Sequence, residues 1–172
     1  IQPGAFIGNK VKIGKNCIIH ANVSIYDHCI LGDNVIIHSG TVIGADAFYF
    51  QKRAEETVKF ESCGRVVIKD HVEIGANCTI DKGVSGDTVI DEYTKFDNHI
   101  QIGHDTYIGK RCLFASAVLV AGVTHVEDDV ILWGQVAVNK DLTIGKGAIL
   151  LGTSAIDKSI EGGKTYFGAP AV

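Results

Sequence analysis

Acyl transfer from a thioester asks for two groups: a base that takes the proton of the attacking amine or hydroxyl, and a donor that holds the oxygen of the tetrahedral intermediate. His104, in the stretch QIGHD, and Gly122, in LVAGV, are of the right types and lie 18 residues apart. An imidazole supplies the base, and the backbone N–H near a glycine, unshielded by a side chain, supplies the donor. His20 and His38 share the 18-residue spacing, where a stacked pair of corner residues is the plainer reading. His99 and His104 form an H-x4-H pattern, two of the three protein ligands that a catalytic zinc takes. What a separation of 18 means in space depends on the elements in between.

Those elements form an internal repeat. Ile7, Ile13, Ile19, Ile25, Leu31, Ile37 and Ile43 recur every six residues, and Ile68, Ile74 and Ile80 resume the pattern. Ile90, Phe96, Ile102, Ile108, Phe114, Val120, Val126 and Leu132 carry it on to Ile156, with a second apolar or small residue two positions before each. A helix repeats every 3.6 residues and a strand every two, so a period of six means a short strand followed by a corner. The glycine that often follows the aliphatic, as at Gly8, Gly75 and Gly103, is expected to permit the turn.

The pattern resembles the hexapeptide repeat of the left-handed parallel β-helix, in which three hexads make one triangular coil. Residues 18 apart then stack on one face about 4.8 Å apart, the strand spacing. The expected fold is therefore all-β, one hexapeptide-repeat domain over residues 1–172, with a loop inserted near 46–64 and a shorter excess at 84–87. Between residues 112 and 123 the run CLFASAVLVAGV is apolar in both phases, and Ile131, Trp133, Ala137, Ile149 and Leu151 continue the excess. Outward faces must be covered there as well as inward ones. A three-sided prism packing against its copies does this, which predicts a homotrimer.

Composition narrows the partners. At 172 residues, 46% hydrophobic and 21% charged, the chain falls in the globular range. No run approaches the ~20 apolar residues of a membrane span, so no transmembrane segment is expected. A net charge of −4 argues against nucleic acid. Five cysteines without a CxxC pair suggest neither a disulfide framework nor a zinc ribbon, and point to a reducing, cytoplasmic setting. Cys17, Cys29, Cys78 and Cys112 occupy core positions of the hexads.

Four segments carry a more specific likeness: ANVSIYDHCILGDNVIIHSGTVIGADAF, GRVVIKDHVEIGANCTIDKGVSGDTVI, TKFDNHIQIGHDTYIG and the closing TYFGAP. Together they resemble the UDP-3-O-(3-hydroxyacyl)glucosamine N-acyltransferase family of lipid A biosynthesis, in order and over nearly the whole chain. The TIDKG…GDT element favours this family over the related UDP-N-acetylglucosamine O-acyltransferases. The resemblance implies transfer of a 3-hydroxyacyl chain from the phosphopantetheine of acyl carrier protein to the 2-amine of a UDP-3-O-acylglucosamine, with no other cofactor and no metal. It implies His104 as base, Gly122 as oxyanion donor, and Asp97 and Asn98 as residues lining the same cleft. Asp141 stands where some members carry a second active-site histidine and is expected to contact substrate. The family's N-terminal uridine-binding domain and C-terminal helical extension are not in this sequence. The insertion AFYFQKRAEETVKFESC, with Phe48, Tyr49, Phe50, Lys52 and Arg53, is the expected extra wall of the site. The alternatives are another nucleotide-sugar O- or N-acyltransferase, a metal enzyme like the γ-type carbonic anhydrases built on His99 and His104, and a non-enzymatic scaffold.

Overall fold

The six-residue period closes on itself in three steps. In the computed structural model, which describes residues 1–171, every regular element is a strand, most of them two residues long. Apart from one antiparallel pair they lie on three parallel sheets of eight, seven and eight strands, one sheet per side of the prism. Gln101–Ile102 pairs with Leu119–Val120, so that Gln101 stands opposite Leu119 and Ile102 opposite Val120. Each coil satisfies the backbone of the one before it: Gln101 N–H donates to Val118 C=O and Gly103 N–H to Val120 C=O. Among the described residues no helix is long and apolar enough to cross a membrane.

The interior is a set of ladders. Ile80, Ile102, Val120 and Val138 stack along one wall and are all fully buried, as are Ile108, Val126 and Ile144 along the next. Phe96 and Phe114, one coil apart, stack with ring centroids 4.9 Å apart and planes 11° from parallel. Inward threonines such as Thr94 and Thr41 donate their hydroxyls to carbonyls, those of Gly109 at 2.7 Å and Gly75 at 2.6 Å. Cys29, Cys78 and Cys112 are buried in the ladders and Cys17 half-buried. Burial pushes the Cys112 thiol up to about 11.

The corners do not work as the glycine pattern suggests. The residue in the left-handed conformation is the third after the inward aliphatic, and it is rarely glycine: Asn16, Asn34, His99, Asp105, Val123 and Asp141 have φ between 53° and 62°. The glycine directly after the aliphatic serves close approach instead. A Cβ on Gly75 would lie 2.5 Å from the Asp97 carbonyl carbon, and one on Gly103 would lie 2.5 Å from Gly122 N. Glycine there lets one coil's backbone touch the next.

Two insertions break the phase at one end of the sheet that carries Gln101–Ile102. The chain leaves it through Val42–Ala45, where Gly44 adopts φ 87°, and forms an antiparallel hairpin of Phe50–Lys52 with Thr57–Lys59. Asp46 ties the hairpin down through Lys59 and through Lys82, the latter at 2.8 Å. The second insertion, 84–87, meets the first, with Cys63 N–H donating to Val84 C=O at 2.9 Å. The apolar excess of 112–123 divides as expected between phases: Cys112, Phe114, Val118 and Val120 point in, while Leu113, Leu119 and Val123 stand 45–50% exposed together with Trp133.

Because Ile102 is fully enclosed by its neighbours above and below, Ile102→Ala should lower the unfolding free energy by about 2–5 kcal/mol. Urea denaturation measures this, and a loss below about 1 kcal/mol would mean a loosely packed coil interior.

Candidate active site

His104 is held at a corner by the residue that follows it. The left-handed turn at Asp105, φ 53°, brings the Asp105 carboxylate back onto the imidazole, with Oδ2 2.8 Å from Nδ1. A carboxylate only accepts, so in the neutral ring it is Nδ1 that carries the proton and Nε2 that has the lone pair. Asp105 is itself fixed by the second insertion, accepting from Val84 N–H at 2.8 Å and Gly86 N–H at 3.1 Å. Burial alone would raise its pKa, but the donors Val84, His104 and Gly86 together outweigh burial and hold the carboxyl below its ordinary range. It is therefore ionised at neutral pH and orients the ring.

The other face of the ring meets Gly122, one coil on. A Cβ on Gly122 would lie 2.7 Å from His104 Nε2 and 2.8 Å from Cδ2. Only glycine fits beneath the imidazole. Its N–H is free for a different reason. At the same corner position, the N–H groups of Asn9, Lys15, Asp33 and Lys110 each donate to an aspartate of the next coil. The next coil beyond Gly122 places Lys140 at that point, and among the described residues Gly122 N–H has no acceptor. A base nitrogen and an unused donor thus open side by side.

They open into a cleft of about 670 Å³ whose walls include Phe48, Tyr49, Asp81, Gln101, Lys140 and Asp141. Tyr49, from the first insertion, sets its ring edge-on to His104 with centroids 5.7 Å apart. Gln101 Nε2 donates to Asp81 Oδ2 at 3.0 Å, while Gln101 Oε1 accepts from the Thr79 hydroxyl. Burial pushes the Asp81 carboxyl up to about 6, against the smaller lowering effects of Gln101 and of the His104 charge. Along the same sheet the cleft runs into a second, apolar groove over Leu119, Ala121, Ala137, Ala155 and Pro170.

Of the residues expected at the site, His104, Gly122 and Asp141 share this cleft, joined by Phe48 and Tyr49 from the inserted wall. Asp97 and Asn98 do not. Within one chain they stand at the preceding corner, where Asp97 Oδ1 accepts from Asn98 N–H and Asn98 Oδ1 from Ala76 N–H, both at 2.8 Å. The reason is the period itself: a residue six positions before His104 is one side of the triangle away. His99 shares that corner and is exposed. Among the described residues no group of three or more His, Cys, Asp or Glu side chains is placed to hold a metal ion. His20 and His38 stack as the spacing suggested, 4.8 Å apart, with His38 Nε2 3.1 Å from Glu73. Asp105 and Asp81 were not singled out from the sequence, though both lie in recognisable stretches, IGHD and TIDKG.

Comparison with known proteins places the chain in a family. A family profile described as bacterial transferase hexapeptide (six repeats) matches residues 10–45. The UDP-3-O-acylglucosamine N-acyltransferase of Methylorubrum extorquens (strain PA1) is 46% identical over 129 residues, 75% of this chain and 37% of that protein. The one from Rhizobium meliloti (strain 1021) is 46% identical over 160 residues, 92% of this chain and 40% of that protein. The chain belongs to the UDP-3-O-acylglucosamine N-acyltransferase family. It spans about two-fifths of the length of these relatives. A solved UDP-N-acetylglucosamine acyltransferase from Bacteroides fragilis superposes over all of this chain and 66% of its own, with a TM-score of 0.88 and 24% identity. At that identity it shows the fold alone, the left-handed parallel β-helix.

The raised Asp81 pKa has a measurable consequence for stability. Its folded value of about 6 exceeds the ordinary 3.8, so the folded state binds this proton more tightly than the unfolded state. The stabilisation is complete below the ordinary value and is lost as pH rises through about 6. Urea denaturation of the parent and of Asp81→Asn should therefore show the parent losing stability relative to the variant between pH 4 and 6.5, with no further change above. A difference independent of pH would place Asp81 in solvent.

Proposed function

We propose that this chain carries the reaction centre of an N-acyltransferase, which moves a 3-hydroxyacyl chain from the phosphopantetheine thioester of acyl carrier protein to the 2-amine of UDP-3-O-acylglucosamine in lipid A biosynthesis. The observation that carries the reading is the juxtaposition of His104 Nε2 with Gly122 and its unused N–H. The amine attacks the thioester carbonyl while Nε2 accepts its proton, and Asp105 balances the imidazolium that results. The carbonyl oxygen, now an oxyanion, takes the Gly122 N–H. As the C–S bond breaks, the imidazolium returns the proton to the leaving thiolate, so an amide and a free thiol are formed. The acyl chain lies along the apolar groove over Leu119, Ala137 and Ala155. Asp141 and Lys140 at the rim contact the polar parts of the substrates. The reaction needs no cofactor besides the carrier's own phosphopantetheine, and its setting is the cytoplasm, where carrier and nucleotide sugar meet.

A homotrimer completes the reading. Leu113 and Trp133 on one side and Leu119 on the next leave large apolar side chains half-exposed, which a second copy would cover. The same packing would bring the Asp97 and Asn98 corner of one copy toward the cleft of its neighbour, which a single chain does not do.

His104 lies outside the core, so His104→Ala should leave assembly and melting temperature nearly unchanged and slow acyl transfer by about 10²–10⁴-fold, the usual worth of a general base. Product mass spectrometry with carrier-bound thioester and UDP-3-O-acylglucosamine reads the rate, and a variant retaining most of the parent rate would dismiss His104 as the base. Sedimentation equilibrium should give three times the chain mass. A monodisperse monomer at micromolar concentration would remove the shared cleft.

A further inference from the structure

Asp81 is a cleft acid that the chemistry above leaves idle. Lys82 beside it turns away to Asp46 at 2.8 Å. What acts on its carboxyl is the Gln101 amide, bonded to Oδ2, and the charge of His104. Among the described residues no donor reaches Oδ1. The backbone places it deliberately: Ile80 pairs with Ile102 on one side, and on the other the register slips between Ile80 and Asp81, so that Asp81 stands opposite Ala45 where the first insertion departs. Such an irregularity re-aims a side chain. Here it sets a half-buried carboxyl on the same cleft wall as His104. A half-buried carboxyl on the cleft wall with no protein donor on Oδ1 keeps an acceptor free for a ligand.

The stereochemistry of the acceptor says which ligand. A neutral amine that turns its lone pair to a thioester carbonyl still has two N–H bonds to place. His104 Nε2 accepts one of them, and a second acceptor is useful for the other. A hydroxyl nucleophile has a single hydrogen, which His104 uses, so a second acceptor would face only an oxygen lone pair and repel it. Resting on the acyl-transfer reading, we propose that Asp81 is a substrate-contacting residue whose Oδ1 accepts an N–H of the acceptor's amino group beside His104, and that it thereby selects an amine over a hydroxyl.

The test compares the parent with Asp81→Asn and Asp81→Ala, using a carrier-bound 3-hydroxyacyl thioester as donor and either UDP-3-O-acylglucosamine or its 2-hydroxyl counterpart as acceptor. Asp81→Asn retains an oxygen for Gln101, so a merely structural carboxyl would be rescued by it. The proposal expects kcat/KM for the amine to fall about 10–100-fold in both variants, as for loss of a hydrogen bond to a charged group. It also expects the KM for the donor to stay within about twofold and the preference for amine over hydroxyl to shrink by the same factor. Parent-like kcat/KM in Asp81→Asn, or an equal fall for both acceptors, would overturn it. Absence of turnover in the parent would instead count against the acyl-transfer reading. Calorimetric binding then decides the Asp81 claim: the parent should bind the amino sugar more tightly than the hydroxyl analogue and Asp81→Asn should not, while equal binding by the parent would end the proposal.

Discussion

The register of the parallel ladder is the constraint on which everything else rests. Each strand of a regular coil pairs with the one 18 residues on, as Gln101 does with Leu119 and Tyr107 with His125. With the strand spacing of about 4.8 Å, this fixes what any corner residue can touch. His104 can lie over Gly122 because no residue is gained or lost between them. Had the 84–87 insertion fallen one coil later, the imidazole would face a different backbone. The chemistry at the corner is thus a property of the ladder, and the buried columns of Ile80, Ile102, Val120 and Val138 keep that ladder in step.

The insertions are what distinguish this corner from the others. At several repeated corners the N–H is tied to an aspartate of the next coil, as that of Lys110 is to Asp128. At the cleft, Asp105 is spent on His104 and on the N–H groups of Val84 and Gly86, and Lys140 replaces the aspartate that would occupy Gly122 N–H. The first insertion adds a wall by setting Tyr49 against the imidazole. Strain sits here too: Val123, next to Gly122, is β-branched and held at φ 62°, a conformation such residues rarely take.

The periodicity made the fold legible because a hexad states both which residues point inward and where the chain turns. The approach of His104 to Gly122 followed from counting coils, and so did the stacked His20 and His38. What counting did not reach were contacts made across insertions, where the period is interrupted: Asp105 with the 84–87 loop, and Asp81 at the slipped register beside Ala45. Asp97 and Asn98 came from the resemblance and not from counting, and within one chain they stand one side of the triangle away from His104. The glycine pattern was visible, but its physical reason was close backbone contact, as Gly103 against Gly122 N shows.

That His104 and Gly122 act as one unit is tested most directly by a crystal structure with the N-acylated sugar bound. The amide oxygen should lie within about 3 Å of Gly122 N, a hydrogen-bond distance, with the amide nitrogen at similar range from His104 Nε2. An amide oxygen facing solvent, or bound at another corner with Gly122 N–H left empty, would contradict the shared role of the two residues.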